Sequence, residues 1–154
     1  MTEIAKSLRH ILSRSEAANK QTGELLVTIA LRDWVFQDNA ARLPGGDGEN
    51  APVRVRDKAV DFIEANLNAH LSVAGLAALF DMDANRFSVL FRAQTGSSPY
   101  KFIVTRRLLR AMTLLREDQM PLAEIAYDVG FSSQSHMTSV FRRLLNTTPG
   151  RFQR

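Results

Sequence analysis

Asn85, Ser88, Val89 and Arg92 stand at i, i+3, i+4 and i+7, and Ser135, Thr138, Ser139 and Arg142 repeat that spacing fifty residues later. On an α-helix this spacing lines each set along one face. Neither set makes or breaks bonds. No nucleophile stands beside a base, no glycine-rich loop could cradle phosphate, and no carboxylates pair in an apolar setting. What these side chains offer is hydrogen bonding at close range. Asn and Gln amides match adenine, Ser and Thr hydroxyls match several base edges, and Arg matches phosphate. The competing reading is a plain solvent-facing helix. Such a helix usually carries Glu and Lys, whereas the second set is small, polar and nearly uncharged until Arg142 and Arg143. An in-register second copy argues against that plainer reading.

The elements that must position these faces are themselves repeated. LFRAQTGSSPYKF, Leu90 to Phe102, returns as VFRRLLNTTPGRF, Val140 to Phe152. Leu76-Ala77 matches Ile125-Ala126 at an offset of 49, and after the turn the offset is 50, pairing Phe91 with Phe141 and Pro99 with Pro149. Each unit reads as a short helix, a tight turn and a longer helix, which is a helix-turn-helix. The first short helix is expected over Val73 to Phe80, capped by Ser72, and the first longer helix over Ala84 to Thr95, with Asp83 a cap and Gly96 a left-handed stop. A long basic helix should then run from Pro99 to about Arg116. Pro121 should open Leu122 to Val129. Ser132 or Ser133 should cap Gln134 to Leu145, with Asn146 taking the stop that Gly96 takes in the first unit. Inward faces are expected at Phe87, Leu90 and Phe91, and at Met137, Val140, Phe141 and Leu144. Upstream, a helix from about Val55 to Leu67 should turn Ala59, Phe62, Ile63 and Leu67 inward. Met82, Met112 and Met137 read as core filler. Strand signals are scarce throughout, so the fold class is all-α.

RLPGGDGENAP, Arg42 to Pro52, has the composition of a linker. It divides residues 1–41, read as a helical hairpin, from residues 53–154. The hairpin's second helix is apolar around most of its girth, from Leu25 through Ile29 to Trp34 and Phe36, more than two helices bury alone. It should dock on the other domain, a second copy or another protein, with Trp34 a packing anchor. Charge is uneven. Residues 1–52 carry six Lys/Arg against seven Asp/Glu, net −1, while residues 53–154 carry fourteen against nine, net +5. A basic C-terminal portion suits a polyanion, double-stranded DNA above all. With no cysteine there are no disulfides or thiolate metal sites. The histidines, His10, His70 and His136, are too far apart in sequence for helical metal-ligand spacing. No cofactor or metal is expected. No signal peptide or membrane span is read, so a cytoplasmic protein is expected.

Residues 55–154 resemble the DNA-binding domain of the AraC/XylS family of bacterial transcription regulators. The signature portion is IAYDVGFSSQSHMTSVFRRLLNTTPGRFQR, Ile125 to Arg154, and the helix TRRLLRAMTLLRE fits the family's linker helix. The resemblance implies two helix-turn-helix subdomains, about 72–95 and 121–145, joined by a linker helix of about 99–117. Each would place its second helix in the major groove, in segments about one turn, roughly 34 Å, apart. Position by position it implies base reading by Asn85, Arg86, Ser88 and Val89, and by Gln134, Ser135, Thr138 and Ser139. Phosphate contacts would come from Arg92, Arg142 and Arg143, with Ser133 and His136 at the edge of the second contact face.

The sequence departs from the family pattern at several places. Arg is common in the family where Val89 and Ser139 stand, Asp81 takes a usual Gly place, Asp83 adds negative charge, and Gly75 replaces a better helix former. The second unit is therefore expected to dominate binding. The family's β-barrel effector domain does not fit in the roughly 41 residues before the linker, so no small-molecule pocket is expected there. The helical hairpin resembles the family's dimerisation helices. Two functions follow. The first is a sequence-specific transcription regulator, an activator touching RNA polymerase. The alternative is a partner-dependent co-regulator or inhibitor acting through the N-terminal helices, with weak DNA binding of its own.

Overall fold

The computed structural model describes residues 55–117 and 120–153, and every regular element among them is helical. The elements are α1 (Val55–Ala65), α2 (Val73–Ala78), α3 (Ala84–Thr95), α4 (Pro99–Glu117), α5 (Leu122–Asp128), α6 (Gln134–Leu145) and a 3-10 turn, Pro149–Arg151. The helical hairpin expected over residues 1–41, with Trp34, and the linker expected over residues 42–52 lie outside the described residues. No helix among the described residues is long and apolar enough to cross a membrane. The described chain falls into two compact units, residues 55–104 and 105–153, with the border inside α4.

In the first unit, α2 and α1 both pack on α3. Phe87 and Phe91 lie four residues apart on α3 and are fully buried. Phe80, Phe87, Phe91 and Phe102 form a chain of ring contacts with centroids 5.5 to 5.6 Å apart. Burying rings of this size supplies most of the driving force in so small a unit. The Gln94 side chain accepts the Arg56 backbone N–H at 2.9 Å, giving a partner to one of the amides that the first turn of α1 leaves open.

Two expectations on α1 are corrected. Phe62 is exposed and Leu67 only half-buried, while Val55, Ala59 and Ile63 are fully buried. The buried stripe runs i, i+4, i+8, and Phe62 lies about 100° off it. Leu90 is likewise half-buried, one residue from Phe91 on the flank of the core face.

In the second unit, α5 and the 3-10 turn pack on α6. Met137, Val140, Phe141 and Leu145 are buried, and Leu144 is half-buried. Phe141 meets Phe152 edge-on at 5.7 Å. This pair stands fifty residues after Phe91 and Phe102, which meet edge-on at 5.5 Å. Gln153 donates to the Met120 carbonyl at 3.1 Å and ties the end of this unit to the residues that lead into α5. Along α4, Leu108, Ala111, Met112 and Leu115 are buried, and the helix, Pro99–Glu117, has the bounds expected of the linker helix. Met112 and Met137 are core residues as expected, whereas Met82 is half-buried.

The two turns close alike. The Met82 amide donates to the Ala77 carbonyl at 3.1 Å, and Phe131 donates to Ala126 at 2.8 Å. Asp81 donates to Ala78, and Gly130 to Tyr127. These are the paired bonds of a helix stop whose next residue is left-handed. Gly130 meets that need at φ 89°, and Asp81 meets it at φ 52°. Gly75 is better explained by closeness than by weakness. A Cβ there would stand 3.1 Å from the Ser72 hydroxyl oxygen that caps α2.

Candidate nucleic-acid interface

Helices α3 and α6 are each twelve residues long, begin at a side-chain cap and end at a left-handed residue, Gly96 or Asn146. Their caps differ in charge. On α3, one carboxylate oxygen of Asp83 accepts from the amides of Arg86 and Asn85 at 2.9 and 3.0 Å. The bond from the Arg86 amide, aided by that of Asn85, holds the Asp83 carboxyl below its ordinary range. On α6, the neutral hydroxyl of Ser133 accepts from the His136 amide at 3.1 Å. Of the two candidate caps, Ser133 is therefore the one used.

The outward face of α3 carries Asn85, Arg86, Val89 and Arg92, all exposed, with Ser88 half-buried at its margin. Ser88 donates its hydroxyl hydrogen to the Ala84 carbonyl at 2.7 Å. Val89 is 62% exposed. The outward face of α6 carries Ser135, Ser139, Arg142 and Arg143, all exposed, with Thr138 and His136 half-buried, and Gln134 is exposed as the first residue of the helix. Ser139 donates to the Ser135 carbonyl at 2.9 Å. In both helices a face hydroxyl therefore spends its hydrogen on the carbonyl four residues back.

The thirteen candidate residues divide between the helices, Asn85 to Arg92 on α3 and Gln134 to Arg143 on α6 with Ser133 as its cap. Apart from Gln134, which shares the stripe of Met137 and Phe141 and is exposed as the first residue of α6, the set within each helix lies off the core stripe of Phe87 and Phe91 or of Met137 and Phe141. Sequence reasoning did not foresee how His136 is held. Its Nδ1 lies 3.0 Å from the Ser132 hydroxyl, and its ring stands edge-on to Phe131 at 5.3 Å. The signal was present in the i, i+4 spacing of Ser132 and His136. Among the described residues no group of three His, Cys, Asp or Glu side chains is placed to hold a metal.

Residues 76–154 match a helix-turn-helix domain family, about half of the chain. The chain is 38% identical over 93 residues to a probable transcriptional regulator, LumQ, of Photobacterium leiognathi, covering 60% of this chain and 38% of that protein. It is 33% identical over 101 residues to the arabinose operon regulatory protein of Salmonella typhimurium, covering 65% of this chain and 36% of that protein. It thus spans well under half the length of these relatives. Among solved structures, the DNA-binding domain of the global transcriptional factor AdpA in complex with a target DNA aligns with a TM-score of 0.58 at 32% identity. That match covers 62% of this chain and 86% of that one. The doubled unit, the paired left-handed stops and these matches agree, and the chain belongs to the AraC/XylS family of DNA-binding transcription regulators.

Proposed function

We propose that this protein is a sequence-specific transcription regulator that reads two adjacent major-groove segments of double-stranded DNA, one with α3 and one with α6. The observation that carries the reading is the doubling itself. Two helices of equal length, fifty residues apart, turn faces to solvent that end in an arginine and carry none of the Glu and Lys of an idle helix. The solved relative AdpA is bound to its target DNA, which supports the same reading. Asn85 and Gln134 would pair with adenine edges, and Arg92, Arg142 and Arg143 would neutralise phosphates. Activation through a contact with RNA polymerase, and a dimer formed by residues 1–41, complete the proposal. A relative of Yersinia enterocolitica is described as a virulence regulon transcriptional activator, which supports activation as the direction of control.

The second unit should dominate binding. In the first unit, the Asp83 carboxylate already occupies the amides at the start of α3 and sets negative charge where phosphate would approach. The same observation favours a second reading, a co-regulator whose own DNA binding is weak and depends on a partner.

Selection from random duplex DNA across a salt series tests both. Enrichment of two elements about one helical turn apart is the expected result. One short element alone would reduce the reader to its second unit, and no enrichment would favour the partner-dependent function.

A further inference from the structure

We infer that Val89 reads the C5-methyl group of a pyrimidine, so the element of the site that faces α3 is recognised partly by an apolar contact. This rests on the DNA-reading function proposed above and names the chemistry of one of its contacts.

Val89 is two residues from Phe87 and two from Phe91, which puts it about 160° round the helix from both. It therefore sits opposite the core, and its 62% exposure agrees. It does nothing for the helix either, because a β-branched residue is a poorer helix former than the Glu or Lys usual on an open face. Its neighbours one turn away are Asn85 and Arg86 on one side and Arg92 on the other, all exposed. Beside it, the Ser88 hydroxyl hydrogen is committed to Ala84.

The centre of the α3 face is thus an apolar knob ringed by donors. In a major groove the matching feature is a pyrimidine methyl next to a base acceptor, as thymine presents with its C5-methyl and O4. 5-Methylcytosine carries the same methyl at the same place. The repeat position on α6 is Ser139, which has no methyl to offer, so the two units read different chemistry at equivalent places.

The test uses the full chain and the selected duplex. Each thymine is replaced singly by deoxyuridine, and each cytosine by 5-methylcytosine. One thymine in one element should lose about 3- to 10-fold in affinity as uracil, the effect of removing one methyl from an apolar contact. Val89→Ala should erase that difference, and Val89→Thr, which keeps one methyl, should retain part of it. If instead methylating one cytosine tightens binding and Val89→Ala removes the gain, 5-methylcytosine is the source and the inference stands. Sequence-specific binding with no methyl effect anywhere, or a methyl effect that survives in Val89→Ala, overturns it while leaving the DNA-reading function intact. Failure to enrich any sequence overturns that function and this contact with it.

Discussion

Asp81 and Gly130 occupy the same left-handed corner in the two copies of one turn, at φ 52° and φ 89°. Only glycine enters that region without a Cβ penalty, and aspartate is among the few others that tolerate it.

The first prediction follows from that corner. Asp81→Gly should stabilise the protein by about 0.5–1 kcal/mol, and Gly130→Ala should destabilise it by about 1–2 kcal/mol. Urea unfolding of the two variants beside the parent checks both signs. A loss of stability in Asp81→Gly would mean that the aspartate makes a contact worth more than the strain.

Asp83 ties stability to pH. Its folded pKa is lowered, chiefly by the bond from the Arg86 amide. Its contribution is therefore present above the unfolded value and lost as pH falls through the folded one. The advantage of the parent over Asp83→Asn should hold near neutrality and fade as pH drops below the ordinary 3.8. An advantage unchanged in strong acid would show that the carboxylate charge plays no part.

On the proposed function the same carboxylate should act the other way on DNA. Asp83→Ser copies the cap that Ser133 gives α6 and removes a negative charge from the start of α3. DNA affinity should rise several-fold at low salt, and the gain should shrink as salt screens the charge. Fluorescence anisotropy at two ionic strengths measures it.

Thr95 locks the end of α3. It is buried, donates to the Phe91 carbonyl at 2.7 Å and accepts the Ser97 amide at 3.2 Å. Thr95→Val keeps the shape and leaves the buried Ser97 amide without its partner. The expected cost is about 1–3 kcal/mol, read from the shift in the unfolding midpoint. No shift would place water or another acceptor at that amide.

On α6, Arg142→Ala should weaken binding about equally for all sequences and lower the salt slope by about one. Ser139→Arg should raise affinity. An unchanged affinity in both variants would remove this face from the contact.

Much of the fold was legible because its punctuation is chemical. Asp83, Gly96, Ser133 and Asn146 mark the ends of α3 and α6 where the structure has them. The bounds of these two helices were read to the residue, since a cap and a left-handed stop act within a turn. The lateral placing of residues was less legible. Phe62 is as apolar as Ile63, and periodicity alone does not say which of two adjacent stripes the core takes. The conformation of Asp81 could be read only through its repeat partner Gly130, because its own identity favours several turn geometries. The Ser132 to His136 contact depends on two rotamers, which spacing permits without dictating. The faces of α3 and α6 were legible as faces. That their hydroxyls bond backward was not.

That backward bonding sets how finely such a face can discriminate. With their hydrogens directed to the backbone, Ser88 and Ser139 would meet a base as acceptors. Adenine and cytosine both offer an exocyclic amino group in the major groove, so neither hydroxyl separates one from the other. On the proposed DNA-reading function, sites that exchange adenine for cytosine at those two steps would be bound with similar strength.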